Sequence, residues 1–227
     1  MHTSRLLHLS DLHANDAWYR WADGMQTRFG LVVISGDLLD FNAHRPIGDQ
    51  VPRVKQHLAR LASSPLALVS GNHDRITNGG PELFRAQWLQ DLRSDSVWVD
   101  GDTFHHAGFR VRCIGWNDAV PEAAGENEVW IVHAPPEGTS TAIARGGVSF
   151  GNWDLARVCA EGRGPRLLLG GHVHDPESWC ARVGRTWSLN PGYAEGAGHP
   201  NYNVVDLVRG VAMHHRADGT EDVRKLW

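Results

Sequence analysis

The stretch LVVISGDLLDF, residues 31–41, decides the fold of this chain. Its first four residues are apolar, and three of them are β-branched, which is typical of a strand buried on both faces. The strand runs directly into Gly36-Asp37, and a second carboxylate, Asp40, follows three residues later. A carboxylate at the end of a core strand is unfavourable unless it is paired or binds a metal ion. The stretch therefore predicts a core strand with a charged site at its carboxyl end.

Strand-like and helix-like segments alternate around this strand in the first half of the chain. The strand-like segments RLLHLS (5–10), LVVIS (31–35) and PLALVSG (65–71) are separated by amphipathic helical patterns. A third helical pattern follows around Phe84, Trp88 and Leu92. The order β-α-β-α-β-α predicts parallel strands joined by crossover helices.

The second half of the chain has a different sequence pattern. After residue 95, short strands separated by glycine-containing turns indicate largely antiparallel hairpins. We expect two more strands in EVWIVH (128–133) and RLLLGGH (166–172), a short helix near Asp154 to Ala160, and a closing hairpin over 202–215. The two sequence patterns predict two sheets packed face to face, within one domain spanning 1–227.

Composition narrows the classes of function. The chain has 227 residues, 41% of them hydrophobic, and a formal charge of −4, which argues against binding to long nucleic acids or anionic membranes. The three cysteines (Cys113, Cys159, Cys180) lack the spacing of a disulfide framework or a zinc ribbon, so we expect reduced thiols. The apolar runs are too short to span a membrane, and no signal-peptide pattern is present; we therefore expect a cytoplasmic protein.

Side chains that can bind a metal ion follow each strong strand of the predicted sheets. Ligands bind beyond the carboxyl ends of strands in open α/β sheets, so these groups are expected to converge on one crevice. The set contains carboxylates, imidazoles and one amide but no thiolate, which suits divalent ions such as manganese, iron, zinc or nickel. Its members are Asp11, His13, Asp37, Asn72, His133, His172 and His174.

These motifs, D-x-H, G-D-x-x-D, G-N-H-D, a lone histidine and G-H-x-H, occur in the order found in a known family. From Asp11 to His174 the sequence resembles the calcineurin-like metallophosphoesterases. The resemblance implies an α/β fold, a four-layer α/β/β/α sandwich of two mixed sheets. It also implies two divalent metal ions, with Mn²⁺ as first choice and Fe, Zn, Ni or Co as alternatives. One ion is held by Asp11, His13 and His174, the other by Asn72, His133 and His172, with Asp37 bridging them.

The implied chemistry follows from general principles. Two metal ions about 3.5–4 Å apart share a water, lower its pKa and direct the resulting hydroxide in line at phosphorus. His73 lies beside a ligand position without an assigned metal, and we interpret it as a catalytic general acid or a stabiliser of developing charge. We expect Asp74 to orient the His73 ring and Asp40 to hold a ligand in place.

Departures from relatives indicate the branch of the family. Phe41 stands where protein Ser/Thr phosphatases typically have a phosphate-binding Arg-Gly, so the small bacterial phosphodiesterase-like members are closer. Their HAPP-like segment and late N-P-G are present as residues 133–136 and 190–192. Arg75 is a candidate phosphate-binding cation. Trp116 and Trp153 flank the predicted crevice, and one of them is a candidate for stacking on a substrate ring.

Three functions remain open at this stage. The first is a dinuclear-metal phosphodiesterase acting on a small phosphate ester. The second is a phosphomonoesterase for small molecules. The third, a metal-bound protein-interaction scaffold, is disfavoured because every ligand position and His73 are filled by competent residue types. The sequence leaves the natural substrate and the oligomeric state open.

Overall fold

The structure is a computed structural model that describes residues 4–43, 45–75 and 86–227. The described strands form two sheets, one of seven strands and one of six. Both sheets are mixed: the first has parallel strands in one half and antiparallel strands in the other, and the second has parallel central strands and antiparallel edge strands.

The first sheet contains strands from both ends of the described chain. They are β1 (Arg5–Leu9), β2 (Leu31–Ser35), β3 (Leu66–Val69), β4 (Val97–Trp98), β11 (Tyr202–Asp206), β12 (Val211–His215) and β13 (Glu221–Lys225). Their spatial order is β13-β12-β11-β1-β2-β3-β4. Strands β1, β2, β3 and β4 pair in parallel with one another in that order. The pairings of β1 with β11, β11 with β12 and β12 with β13 are antiparallel.

The second sheet is built from the middle of the chain. Its strands are β5 (Thr103–His106), β6 (Phe109–Cys113), β7 (Glu128–Ile131), β8 (Leu167–Leu169), β9 (Cys180–Val183) and β10 (Thr186–Leu189). Their spatial order is β5-β6-β7-β8-β10-β9. The central pairings, β6 with β7, β7 with β8 and β8 with β10, are parallel, and the edge strands β5 and β9 are antiparallel.

The helices cover the outer faces of the two sheets. They are α1 (Asp16–Met25), α2 (Ile47–Leu61), α3 (Gln87–Gln90) and α4 (Trp153–Ala160), and a 3-10 turn spans Gln26–Arg28. Helix α1 begins after Asn15, whose side chain accepts hydrogen bonds from the N–H groups of Ala17 and Trp18, as an N-cap residue does. Helix α4 begins in the same way after Asn152, whose side chain accepts from Leu155.

Alternation along the buried strands produces three separate cores. In β2, Val32 and Ile34 pack with the residues of α1 and α2, whereas Leu31 and Val33 pack against the second sheet. In β7, Val129 and Ile131 face the first sheet, and Trp130 packs with residues of α4. Because side chains alternate between the faces of a strand, these cores lie between four successive layers. The predicted α/β/β/α sandwich of two mixed sheets is confirmed.

The sequence prediction was wrong about how the strands of the second half pair, although its hairpins at 103–113 and 202–215 are present. The second sheet is not largely antiparallel, since its three central pairings are parallel. The two halves of the sequence also do not correspond to the two sheets, because β4 and the closing hairpin β11–β12 join the first sheet. Pairing is decided by contacts between distant segments, and local turn patterns do not report them.

The third predicted helix is described only in part. Trp88 lies in the short helix α3, Leu92 follows its end, and Phe84 lies outside the described residues. Over the described part of the chain, every helix is too short or too polar to cross a membrane.

Candidate metal centre

The carboxyl ends of five central strands meet at one place. Asp11 follows β1, Asp37 follows β2 and Asn72 follows β3, so the first sheet supplies the oxygen ligands. The second sheet supplies imidazoles, with His133 after β7 and His172 after β8. All seven residues predicted as metal ligands therefore lie at facing strand ends, and the distances below show that their side chains come together.

The backbone at these strand ends is in a conformation that residues other than glycine seldom adopt. The φ angles are 55° at Asp11, 45° at His13, 52° at Asp37 and 68° at His172. Such left-handed angles cost energy and are concentrated at functional sites. Three backbone hydrogen bonds hold the first two loops together, from Asp11 N to Gly36 O (3.0 Å), from His13 N to Asp37 O (2.9 Å) and from Ala14 N to Leu38 O (2.8 Å).

Glycine precedes three of the predicted ligands because another side chain occupies the space of its missing Cβ. A Cβ on Gly36 would lie 2.3 Å from Nδ1 of His133, and one on Gly71 would lie 2.1 Å from Oδ1 of Asp37. A Cβ on Gly171 would lie 1.6 Å from the Ser10 hydroxyl oxygen. These contacts give the G-D, G-N and G-H motifs a steric reason: the strand ends interlock.

The first group of donors consists of Asp11, His13 and His174. Oδ1 of Asp11 lies 3.5 Å from Nε2 of His174 and 3.9 Å from Nε2 of His13. The two histidine Nε2 atoms are 3.0 Å apart. Three potential ligand atoms thus surround one point.

The second group consists of Asp37, His133 and His172, with Asn72 beside it. Nε2 of His133 lies 3.2 Å from Oδ2 of Asp37 and 3.2 Å from Oδ1 of Asn72. Asp37 also reaches the first group, since its Oδ2 lies 4.0 Å from Nε2 of His13. Asp37 therefore lies within reach of both groups, since it clusters with His133 and His172 and also with His13 and His73.

Hydrogen bonds to the protein backbone fix the direction of two of the histidines. Nδ1 of His133 lies 2.8 Å from the carbonyl oxygen of Ser35, and Nδ1 of His13 lies 3.2 Å from that of Leu39. A carbonyl only accepts, so each ring donates from Nδ1 and turns Nε2 toward the centre. This is the arrangement by which proteins orient metal-binding imidazoles.

Among the described residues, two buried polar atoms at the centre lack a hydrogen-bond partner: Oδ1 of Asp11 and Nδ1 of His172. Unpaired buried polar atoms are rare in folded proteins and call for an explanation. The Nε2 lone pair of neutral His133 would face two oxygens, a conflict that a proton or a metal cation resolves. Together with the mixed N/O donor set, these atoms fit divalent metal ions.

The electrostatics of the metal-free protein follow from this crowding. Burial disfavours the His133 cation, but the carboxylates of Asp37 and Asp11 outweigh burial and raise the pKa of His133 to about 9. Burial and the neighbouring His133 cation lower the pKa of His172 to about 4. Burial opposes ionisation of Asp37, yet the His133 cation holds the pKa of Asp37 below its usual range. The centre thus retains a proton on His133 when no metal is bound.

His73 has the opposite orientation to the ligand histidines. Its Nδ1 accepts a hydrogen bond from the backbone N–H of Phe41 (3.0 Å), so the proton of the neutral ring lies on Nε2. Nε2 is 4.0 Å from Oδ2 of Asp37. His73 therefore presents an N–H donor to the centre, where neutral His13 presents a lone pair and His133 would do so once a metal replaces its proton.

The predicted role of Asp74 was wrong. Its carboxylate does not orient His73 but accepts hydrogen bonds from the backbone N–H groups of Leu39 (2.9 Å) and Gly71 (2.7 Å). Through these two hydrogen bonds the buried Asp74 side chain joins the loop after β2 to the loop after β3. Its neighbour in sequence is His73, but the turn points the two side chains in different directions.

Asp40 and Arg75 lie at the rim of the centre. Oδ1 of Asp40 is 3.7 Å from Nδ1 of His73, so Asp40 is the carboxylate beside this ring. Asp40 also accepts from the N–H of Asn42, and its own N–H donates to Gln50. Nε of Arg75 donates to the carbonyl of Asn72, which fixes the base of the guanidinium on the loop that carries a predicted ligand.

Aromatic side chains enclose the centre, two of which the sequence analysis did not identify. Tyr193 stacks on His174, with ring centroids 4.6 Å apart. Phe150 lies 6.4 Å from His172, beside Trp116, which contacts both His133 (5.5 Å) and His172 (5.2 Å). Tyr193 follows the N-P-G segment directly, which was its available signal, whereas Phe150 belongs to no motif.

The arrangement defines a class of α/β proteins with a candidate dinuclear metal centre between the ends of two facing sheets. The chain belongs to the calcineurin-like phosphoesterase family, whose sequence model matches residues 4–176. A search of curated proteins found no significant match.

Solved structures show the same fold at low sequence identity. A dimetal phosphatase from Danio rerio is 13% identical over 100% of both chains, with a TM-score of 0.65. The protein TT1561 of Thermus thermophilus is 13% identical over 99% of this chain and 100% of its own, with a TM-score of 0.58. An archaeal phosphodiesterase is 13% identical over 97% of this chain and 98% of its own, with a TM-score of 0.54.

We predict that Gly71→Ala destabilises the protein. The new Cβ would meet the Asp37 carboxylate and the His133 ring, and such overpacking costs about 1–3 kcal/mol. The free energy of unfolding in urea measures this. Gly24→Ala is the control, because nothing lies within 4 Å of a Cβ there and the residue lies in α1. Equal stability of the Gly71 and Gly24 variants would contradict the interlocked strand ends.

We also predict that the metal-free protein loses stability as the pH rises. The folded-state pKa of His133, about 9, exceeds its ordinary value of 6.5, so its stabilisation is complete below pH 6.5 and is lost as the pH rises through 9. Burial and the Asp37 carboxylate also raise the pKa of Asp74 to about 8, and ionisation of Asp74 adds a loss of the same sign. The loss is on the order of 1 kcal/mol or more. Urea unfolding in a chelator at pH 6.5 and 9.5 measures it.

The control for this pH dependence is Asp37→Asn, which removes the carboxylate that most strongly favours the His133 cation. The variant should show a flatter change in unfolding free energy over the same interval. A wild-type protein that gains stability from pH 6.5 to 9.5 would show that the His133 cation is not held in this way.

Proposed function

We propose that the protein is a dinuclear-metal-dependent phosphoric ester hydrolase that prefers small phosphodiesters. One observation carries the proposal: Asp37 clusters with His133 and His172 and also contacts His13 of the other donor group, and Nε2 of His73 lies 4.0 Å from the same carboxylate. Membership of the calcineurin-like phosphoesterase family supports a hydrolase of phosphoric esters.

The donor groups support two metal positions. Asp11, His13 and His174 would hold one ion, and Asn72, His133 and His172 would hold the other, with Asp37 within reach of both. Imidazole and oxygen donors without thiolate suit Mn²⁺, Fe, Zn, Ni or Co, and the resemblance to the family makes Mn²⁺ the first choice. When bound, the ions act as Lewis acids and lower the pKa of a coordinated water, which supplies the nucleophile.

The balance of charge in the donor set suits an anionic substrate. Two of the seven donors, Asp11 and Asp37, are carboxylates, and the others are neutral when they bind a metal. Their two negative charges offset half of the four positive charges of two divalent ions, so a phosphate is attracted. A centre built from carboxylates alone would lose this attraction.

His73 acts on the substrate as a neutral hydrogen-bond donor. Phe41 N–H fixes the proton on Nε2, and Nε2 faces the centre. A donor in this place stabilises negative charge that develops on a phosphoryl or leaving-group oxygen. Asp40 lies beside Nδ1 and favours a partial positive charge on the ring when that oxygen gains charge.

The preference for diesters follows from the supply of cationic groups. A monoester dianion calls for more positive donors than a diester monoanion. Phe41 occupies the position of the arginine expected in the protein Ser/Thr phosphatase branch, and Arg75 is fixed to the Asn72 carbonyl through Nε. A diester also has a second ester substituent, for which the aromatic side chains near His133 and His172 provide a surface.

We predict strict dependence on divalent ions and different effects of two substitutions. A chelator should abolish hydrolysis and Mn²⁺ should restore it. Asp37→Asn should lose bound metal and rate together, because Asp37 touches both donor groups. His73→Ala should retain both ions and lose rate by about 10²-fold or more. Elemental analysis and steady-state kinetics measure the two quantities, and a metal-free His73→Ala protein would contradict the assignment.

We predict a higher kcat/KM for bis-p-nitrophenyl phosphate than for p-nitrophenyl phosphate at equal metal loading. The leaving group is the same in both, so the comparison isolates the charge and the second substituent. A monoester advantage of about tenfold, or 1.4 kcal/mol in transition-state binding, would refute the diester preference and leave the phosphoesterase activity standing.

A further inference from the structure

An aromatic cleft opens directly beside the His133 and His172 half of the centre. It has a volume of about 460 Å³, and its floor includes both histidine rings. Three aromatic side chains line it, Trp116, Phe150 and Trp153. We call these three residues and the space between them the aromatic cleft.

Two of these aromatic side chains are more exposed than folding alone explains. Trp153 is 77% exposed and Phe150 is 51% exposed, although both are large and apolar. Trp153 is the first residue of α4, and Phe150 lies in the loop that leads to it. Exposed aromatic residues next to a polar centre are suited to binding a ligand, because they add little to the core and much to a contact surface.

The charges around the cleft restrict what it binds. The described residues that line it include no lysine or arginine, and they include the carboxylates of Asp118 and Asp154. Asp118 accepts from the N–H of Gly115, and Asp154 lies 3.3 Å from the guanidinium of Arg157. A second phosphate group would meet no lysine or arginine side chain among these described lining residues. The lining therefore favours a planar, uncharged ring.

The cleft and His73 lie beside different histidines of the centre. His73 is beside His13, with ring centroids 4.9 Å apart, whereas Trp116 is beside His133 and His172. If Nε2–H of His73 stabilises the leaving oxygen, the substituent in the aromatic cleft is the one that stays on phosphorus. This separation assigns the two ester groups of a diester to different neighbours.

We propose that the aromatic cleft binds a planar, uncharged ring, such as a nucleobase, carried by the ester group that is retained after hydrolysis. This inference rests on the proposed phosphodiesterase function and names its substrate class: small diesters with a ring on one side and no further phosphate. Phe150 and Trp153 determine specificity by stacking on that ring, and neither takes part in the chemical step.

The test compares substrates that differ only in the retained group. Thymidine 5′-(p-nitrophenyl) phosphate and methyl p-nitrophenyl phosphate release the same phenolate, so the ratio of their kcat/KM values reports binding of the retained group. We expect a ratio of about ten or more in the wild-type protein, consistent with stacking on aromatic side chains. Trp153→Ala and Phe150→Ala should each lower the ratio, chiefly by raising KM for the thymidine ester.

Val148→Ala is the matched control, since Val148 is an exposed apolar residue of the same loop that does not line the cleft. It should leave both substrates and their ratio unchanged. Phenyl p-nitrophenyl phosphate separates the sources of the effect: a phenyl ester as good as the thymidine ester indicates ring stacking alone. A wild-type ratio near one, or a ratio unchanged in both aromatic variants, overturns the proposal while leaving phosphodiesterase activity intact.

A different result would tell against the proposed function itself. If no diester is hydrolysed with any divalent ion, a binding measurement still tests whether the aromatic cleft binds a ring. Calorimetric titration of the Mn²⁺-loaded protein with thymidine 5′-monophosphate and with methyl phosphate should then show tighter binding of the nucleotide, lost in Trp153→Ala. Equal affinities for the two phosphates would overturn the aromatic cleft as a ring-binding site.

Discussion

The contact between Asp37 and His133 is the interaction on which the rest of the structure depends. Nε2 of His133 lies 3.2 Å from Oδ2 of Asp37, and both side chains are almost fully buried. Asp37 comes from the first sheet and His133 from the second, so this pair joins the two halves of the sandwich at their carboxyl ends. Burying opposite charges is tolerated only with good geometry and further hydrogen bonds. His133 has further hydrogen-bond partners in the Ser35 carbonyl and Oδ1 of Asn72. Asp37 accepts a hydrogen bond from the backbone N–H of His73.

The same pair explains why the surrounding backbone is unusual. A carboxylate and an imidazole from facing sheets approach only if the loops between them are narrow, and the glycines at 36 and 71 make them so. Asp74 and Asn190 then fix the loops from beneath. Asn190 donates to the carbonyls of Gly171 and Val173, on either side of His172. The strained φ angles of Asp37 and His172 persist because so many neighbouring groups hold them.

The sequence predicted the residues of the centre better than their orientation. Strand ends rich in Asp, His and Asn indicated where side chains would converge, because parallel strands place their carboxyl ends at one edge. Spacing along the chain did not reveal that Asp74 turns away from His73 or that Asp40 lies beside it. Tyr193 and Phe150 reach the centre from loops whose paths depend on long-range packing. For the same reason the pairing of β11 with β1 was not predicted.

The glycine positions have a consequence for protein engineering. A grafting experiment that copied only the donor side chains onto another pair of sheets would reproduce the chemistry of the ligands without the space they occupy. In this protein the Asp37 carboxylate and the His133 ring lie where the Cβ atoms of Gly71 and Gly36 would be. The transferable unit is therefore a set of donors together with the bare backbone opposite each of them. A scaffold with alanine at those positions would hold the same residues at the wrong separation.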